Sequence, residues 1–433
     1  MTPGISTMGS TVICAPNTQG FVLAPEFYEQ VPAFDFFSAL DPCREIPEEA
    51  HGLQIIRPIQ AGNGQSRTRK GVLTVYPTTD CNLRCIYCYA SSGSVKQELD
   101  LNTFQLLLAD VVNPRFFSEL HLHLHGGGEP TLNPTLFTTL IREFDQKCRA
   151  CMIKPCYTLT TNGTFTTRIK KTIHDFGIST TVSWDGPGDI QDQQRPFATG
   201  KNSHPTVLKN IRFLREAGLL KEVRVTITPY NIGRISEIIH FLHQEGVPAV
   251  HIEPVSILGR QEDSSGICIQ DFAREFKHAY VLSCQLGMPL SGRGTMLFKK
   301  PTQRHCGAFG WNFVLTSTGE ISACTRIQSP TDPHASSFVL GPWIPGGDPM
   351  TFSSQKRKKL RNRTTDNLAE CADCFLRYHC AGGCPMLMPE AYDDDLVRSS
   401  DLPCTLTRAC TLGVLEAVRE GSLPPGWEMV ERH

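Results

Sequence analysis

Asp80-Cys81-Asn82-Leu83-Arg84-Cys85-Ile86-Tyr87-Cys88 is the stretch whose reading decides the fold. It begins four residues after the strand-like run Val72-Leu73-Thr74-Val75-Tyr76. The C-x3-C-x2-C spacing packs three thiolates into eight residues, where they can converge on one soft metal centre. A 4Fe–4S cluster normally takes four cysteines, so three leave one iron open to a substrate or cofactor. Three cysteines alone also fit a zinc knuckle or a chance cluster. The rest of the chain weighs against both.

The 433 residues suffice for two or three domains with real cores. Forty per cent hydrophobic residues and a net charge of −1 fit a soluble globular protein, with no global electrostatic case for nucleic acid or membrane. Residues 1–43 contain no Lys or Arg, and the start lacks the charged and apolar regions of a signal peptide. No apolar stretch approaches the length of a membrane span. A cytoplasmic location is expected. Eighteen cysteines without an export signal point to metal or redox chemistry rather than a disulfide scaffold. Ten of them fall into patterned groups. Cys148, Cys151 and Cys156 straddle a helix end and a strand start and read as packing thiols.

After the cysteine loop, short β-rich runs alternate with helical patterns. Strands are expected near Val72–Tyr76, Leu120–His125, Tyr157–Thr161, Thr180–Trp184, Val223–Thr228 and Val250–Pro254. Val207, Ile211 and Leu214 form one helical face behind Ser203 and Pro205. Ile235, Ile238, Ile239 and Leu242 form another, ended by Gly246. Six β-α repeats with right-handed crossovers predict an α/β fold, a parallel sheet curved into a partial barrel. Chemistry in such folds sits on loops after the carboxyl ends of the strands. The cysteine loop follows the first strand there, Gly126-Gly127-Gly128-Glu129-Pro130 the second, and Thr161-Asn162-Gly163 the third. Ser183-Trp184-Asp185-Gly186-Pro187 closes the fourth. A Gly-Gly pair lets backbone approach a ligand closely because no Cβ intervenes. His121, His123 and His125 alternate along the second strand and share one face; without partnering carboxylates they read as core or rim histidines.

From Lys300 onward the alternation stops. Cys306 is followed by Gly319 and Cys324, then by C-x2-C-x5-C-x3-C at Cys371, Cys374, Cys380 and Cys384, then by Cys404. Seven cysteines with these gaps exceed one zinc site and suit two further iron–sulfur clusters. Lys356-Arg357-Lys358-Lys359-Leu360-Arg361-Asn362-Arg363 is the one strong charge cluster, read as a solvated helix face that could instead dock an acidic leader peptide.

Taken together, these motifs resemble the radical S-adenosylmethionine (SAM) enzymes that carry a C-terminal SPASM domain, over roughly residues 71–415. The resemblance implies domains at 1–70 (an arm or small cap), 71–300 (partial (β/α)6 barrel), 301–415 (auxiliary clusters) and 416–433 (tail). It implies three 4Fe–4S clusters and SAM. Cys81, Cys85 and Cys88 would hold the first cluster, whose open iron chelates the amino and carboxylate groups of SAM. Gly127, Gly128, Glu129 and Pro130 match the motif at the methionyl amino group. Asn162 and Ser183 match positions at the ribose or carboxylate, and Tyr87 the aromatic whose backbone lies near the adenine. Arg195 matches an arginine after the fourth strand. One auxiliary cluster would use Cys371, Cys374, Cys380 and Cys404, with Cys410 as a substitute for Cys404. The other would use Cys306, Cys324 and Cys384. Many relatives have one more cysteine before the position of Cys306; here that site is left open or completed by Cys284, Cys268 or His305.

The implied function is an oxidoreductase maturing a ribosomally made peptide or protein through a 5′-deoxyadenosyl radical, leaving a thioether or carbon–carbon crosslink or a dehydrogenated residue. Implied partners are that precursor peptide or protein and a flavodoxin- or ferredoxin-like electron donor. A sulfatase-maturating enzyme that forms formylglycine is the alternative, then a small-molecule radical SAM dehydrogenase. Outside enzymes stand an iron–sulfur electron carrier and a zinc-binding module, neither of which has use for a SAM site.

Overall fold

The computed structural model describes residues 10–14, 21–23, 70–256, 259–260, 267–298, 302–309, 312–346, 353–387, 402–423 and 428–432. Six parallel strands form its centre: β3 (Lys70–Val75), β4 (Glu119–Leu124), β5 (Lys154–Thr161), β6 (Ser179–Ser183), β7 (Leu220–Ile227) and β8 (Val250–Pro254). All six lie where hydrophobic periodicity expects them. β9 (Leu290–Gly292) extends the sheet beyond β8. On the other side β10 (Val314–Leu315) pairs parallel with β3, and β11 (Glu320–Ser322) and β12 (Val339–Pro342) continue antiparallel, giving ten strands in all. β1 (Ser10–Cys14) and β2 (Phe21–Leu23) pair with β13 (Glu428–Arg432) in a separate small sheet. Most of the arm expected over residues 1–70 lies outside the described residues.

Helices α1 (Leu101–Val111), α2 (Pro134–Ala150), α3 (Thr167–Asp175), α4 (Asp189–Gln194), α5 (His204–Glu216), α6 (Ile235–Gln244) and α7 (Ile269–Gln285) cover the outer face. Their starts follow local chemistry. Asp100 accepts from the Thr103 amide at the head of α1, and Asn133 accepts from the amides of Thr135 and Leu136 beside Pro134 at the head of α2. The two apolar helix faces predicted on α5 and α6 are fully buried. They belong to one buried core with Leu73, Leu120, Leu122, Leu124, Leu159, Val182, Val223, Val225, Ile227 and Ile252, the outward-facing residues of the strands.

The inward-facing set is different. Thr74, His121, His123, His125, Cys156, Thr158, Thr160, Ser179, Thr181, Ser183, Glu222, Arg224, Thr226, His251 and Glu253 alternate with the core residues along β3–β8. They bond across strands, His123 Nε2 to Thr160 Oγ1 at 3.1 Å and His251 Nδ1 to Ser291 Oγ at 2.8 Å. Closed barrels usually fill this space with Val, Ile and Leu. Here the core lies outside the sheet and the lumen is polar. At the carboxyl ends of the strands one cavity of about 360 Å³ is lined from Cys81 round to Glu253. A flat sheet of six strands would spread those residues over about 24 Å, so the sheet curves as expected.

The remaining region carries α8 (Ser354–Asn362) and α9 (Leu402–Arg419). Lys277 on α7 bonds Glu416 of α9 at 2.8 Å and so fixes the last helix to the barrel. The basic run is not simply a solvated face. Lys356, Lys358 and Lys359 are exposed, but Arg357, Leu360 and Arg363 are buried at a helical spacing. Arg357 lies over the Phe313 ring and Arg363 over the Phe309 ring, where their flat guanidinium groups stack.

Candidate cluster and cofactor site

Two arginines hold the cysteine loop by its carbonyls. Arg84 Nη1 donates to the oxygens of Cys81 (2.6 Å) and Leu83 (2.8 Å). Arg260, beyond β8, donates from Nη1 to Cys85 O (2.9 Å), from Nη2 to Ser92 O (2.7 Å) and from its amide to Cys88 O (2.9 Å). The segment after α4 completes the frame: the amides of Arg84 and Ile86 donate to the carbonyls of Pro196 and Gln194. With these carbonyls tied back, the three sulfurs line the cavity.

The glycine-rich turn is zipped to the same loop. Gly128 N donates to Thr78 O at 3.2 Å and Glu129 N to Asp80 O at 2.8 Å. A Cβ on Gly128 would stand 2.1 Å from Asp80 O and 2.7 Å from Thr78 O, both rigid backbone. The three atoms nearest a Cβ on Gly127 all belong to the end of the Gln328 side chain, the first at 1.3 Å, so that side chain would have to turn away. Glu129 itself is buried, and its carboxylate is saturated: it accepts from Thr131 N, Thr131 Oγ1, Thr161 Oγ1 (2.7 Å) and Asn162 N (2.7 Å). It staples the turn after β4 to the turn after β5, and leaves the glycine backbone as the ligand-facing surface. Pro130 is buried behind it.

The other sequence candidates also converge. Asn162 Nδ2 points at Cys81 Sγ (3.6 Å) and bonds Asn82 Oδ1 (3.0 Å). Ser183 lines the cavity. Arg195, without a firm role from sequence, is buried; its Nε donates to Asp185 Oδ2 at 2.9 Å and its Nη1 lies 3.7 Å from Cys85 Sγ. Its guanidinium also covers the Tyr87 ring, and the Tyr87 hydroxyl donates to Asp185. Asp185, fully buried, ties this group to β7 by accepting from Thr226 N at 3.0 Å. Sequence reading quoted Asp185 only inside a motif and missed Arg260 entirely.

The second array is carried to the same rim. β10 and β11 deliver Cys324 beside β3, and the next two residues, Thr325 and Arg326, line the cavity with the first three cysteines. The Tyr76 hydroxyl donates to Thr325 O, and Gln328 fills the space over Gly127. Cys324, Cys306 and Cys384 sit close enough to act on one another's charge, and Cys380 responds to Cys404, Cys374 and Cys371. The resemblance assigns these same cysteines to two auxiliary sites. Cys410 is buried beside Arg293 instead. Of the candidates for a fourth ligand, Cys268 is exposed at the start of α7, Cys284 is near its end beside Tyr280, and His305 Nδ1 bonds Cys380 O at 2.8 Å.

Sulfur spacing suits clusters better than single metal ions. One tetrahedral zinc with Zn–S near 2.3 Å draws its sulfurs to about 3.8 Å. Among the described residues no three of these cysteine sulfurs lie within 4.8 Å of one another. Burial pushes the Cys81 thiol up to about 12 and Cys85 up to about 11, so each would ionise near neutral pH only on binding a metal centre. The one tight group is Glu119, His121 and Cys156 at the opposite end of the lumen. Glu119 bonds His121 Nε2 at 2.8 Å, which supplies the carboxylate partner the sequence reading found lacking. Lys70 (2.9 Å) and Lys154 (3.3 Å) already neutralise that carboxylate. Cys148 is buried as a packing thiol, whereas Cys156 joins this group.

Residues 75–242 match the model of the radical SAM superfamily. Over 199 residues the chain is 28% identical to the Fe-coproporphyrin III synthase of Methanosarcina barkeri, covering 45% of this chain and 46% of that protein. Over 173 residues it is 25% identical to a cysteine-type anaerobic sulfatase-maturating enzyme of Clostridium novyi, covering 39% and 46%. The chain thus spans about half the length of the curated relatives it matches. Its fold extends further. It is similar to native anSMEcpe with bound AdoMet and Kp18Cys peptide, with a TM-score of 0.67 and 17% identity over 82% of this chain and 99% of that one. It is also similar to Streptococcus suis SuiB bound to precursor peptide SuiA, with a TM-score of 0.57 and 15% identity over 77% of this chain and 76% of that one. The domain implies one 4Fe–4S cluster and SAM, and the three sulfurs, glycine backbone and Asn162 fit them. Among the described residues no helix is long and apolar enough to cross a membrane.

Proposed function

We propose that the chain is a radical SAM maturase with a SPASM-type auxiliary domain, acting on a ribosomally made peptide or protein. The observation that carries this reading is the placement of Thr325 and Arg326, directly after Cys324, on the same cavity as Cys81, Cys85 and Cys88. A substrate held there would lie against the first cysteine array and against the two residues that follow Cys324. When bound, the first cluster and SAM supply a 5′-deoxyadenosyl radical that takes a hydrogen from the substrate. The chain's own part is positioning: Arg84, Arg260 and the 194–198 segment fix the loop, and the zipped glycine turn fixes the cofactor surface beside it. Auxiliary clusters held by Cys306, Cys324 and Cys384, and by Cys371, Cys374, Cys380 and Cys404, would then accept the electron left on the substrate. A flavodoxin- or ferredoxin-like donor would supply the first electron.

Formylglycine formation is the second reading, favoured by the sulfatase-maturating relative. It needs a base as the substrate radical becomes an aldehyde or thioaldehyde. The residue after Cys324 is Thr325, whose hydroxyl is a poor base near neutral pH. The carboxylates lining the cavity are Glu129 and Glu253. Burial pushes the Glu129 carboxyl above its usual range, but it is buried and already accepts four hydrogen bonds, three on Oε1 and one on Oε2, that tie it to Thr131, Thr161 and Asn162. Glu253 is held down to about 2, against its burial, by Arg293 at 3.2 Å and by His251. It stays ionised and paired, and too weak a base for that step. A sulfatase-motif peptide is therefore expected to yield no hydrazine-reactive aldehyde. A cognate peptide should lose two hydrogens per crosslink by mass spectrometry, retained after thiol alkylation. Aldehyde formation from the sulfatase peptide would overturn this choice.

A further inference from the structure

We infer that the cavity recognises a carboxylate of the substrate peptide, an acidic side chain held by Arg224 with Arg326. This rests on the peptide-modifying reading above. The observation is a charge imbalance. Among the described lining residues, Arg195 is paired with Asp185 and Glu253 with Arg293 and His251, while Glu129 is held by four uncharged donors from Thr131, Thr161 and Asn162. Arg224 and Arg326 line the cavity and make no side-chain hydrogen bond or close ion pair with a carboxylate or carbonyl among the described residues, although Glu253 lies near enough to feel the charge of Arg224. Arg224 stands mid-strand on β7, in register with Ser183 and His251, its side chain turned into the lumen and exposed there. Arg326 lies two residues after Cys324, its guanidinium 5.5 Å from the centre of the Tyr89 ring.

What faces Arg224 from the other elements is uncharged or already paired. His123 and His125 approach from β4, Thr160 from β5, Ser183 from β6, Tyr87 and Tyr89 from the cysteine loop, and the His251–Glu253 pair from β8. A guanidinium presents a planar fork that matches a carboxylate with two parallel hydrogen bonds. A substrate carboxylate would satisfy both arginines and hold the peptide between the first cysteine array and the residues that follow Cys324.

The test uses the reconstituted full-length holoenzyme with SAM and two peptide mixtures, randomised at flanking positions. One has a fixed central glutamate, the other a fixed central glutamine. The readout is peptide-stimulated formation of 5′-deoxyadenosine, with SAM affinity measured separately at equilibrium. The glutamate mixture is expected to be better by about tenfold or more. Arg224→Gln should erase the preference, and Arg224→Lys should restore part of it; cluster content reports that each variant is folded. Equal response to both mixtures overturns the inference while leaving the peptide reading in place. Loss of SAM affinity in Arg224→Gln, in proportion to the lost activity, also overturns it, since Arg224 would then hold the cofactor's carboxylate. No response to either mixture overturns the peptide reading and this inference with it.

Discussion

Replacing Cys81, Cys85 and Cys88 together by alanine is expected to abolish reductive cleavage of SAM and to remove about four irons per chain, leaving the auxiliary clusters in place. No substitute ligand set is at hand. The loop's carbonyls are tied to Arg84 and Arg260, and the nearby polar groups, Asn162 Nδ2 and Arg195 Nη1, are donors that suit thiolate sulfur rather than iron. Iron analysis and 5′-deoxyadenosine measurement on the anaerobically prepared variant check this directly. Cleavage at the wild-type rate would show that the chemistry belongs elsewhere on the chain.

Gly128→Ala is the second large effect. Its methyl group would stand 2.1 Å from the Asp80 carbonyl, so the turn and the cysteine loop must part by roughly an ångström. A displacement of that size at a positioned site costs on the order of 100-fold in rate. Gly127→Ala is the matched control, because the three atoms nearest its methyl group all belong to the movable end of Gln328. SAM cleavage should fall steeply in the first variant and modestly in the second, with iron content close to normal in both. Equal effects would mean that the close approach of Gly128 to the loop is not what the site depends on.

Much of this was legible in the sequence because two strong periodic signals coincide. Alternating apolar residues mark β3 to β8, and motif loops follow four of them, so strand order alone predicts which residues meet at one rim. Periodicity does not say which face of a strand lines a lumen. His121, His123 and His125 alternate correctly, but only closure of the sheet turns them toward Thr160, Arg224 and Glu119. β10 and β11 have two and three residues, too short for any periodic signal, yet they carry Cys324 to the barrel. Arg260 lies in a stretch with no pattern and reaches the cysteine loop from the far side of the sheet. Composition makes the run at Lys356–Arg363 look like a solvated face; Arg357 and Arg363 stack on Phe313 and Phe309 because a flat guanidinium, unlike an ammonium, can be buried on an aromatic ring. Glu129 was legible as a motif residue, but its four donors come from tertiary contacts that no local pattern encodes.

Metal and sulfide analysis of anaerobically reconstituted protein tests most directly whether two cysteine arrays hold clusters around one cavity. The expected result is about twelve irons and about twelve sulfides per chain, unchanged by Cys284→Ser or Cys268→Ser, because the site at Cys306, Cys324 and Cys384 is read as lacking a fourth cysteine. Tightly bound zinc with little iron would contradict the cluster assignment. Loss of about four irons in either single variant would show an ordinary four-cysteine site in place of the open one.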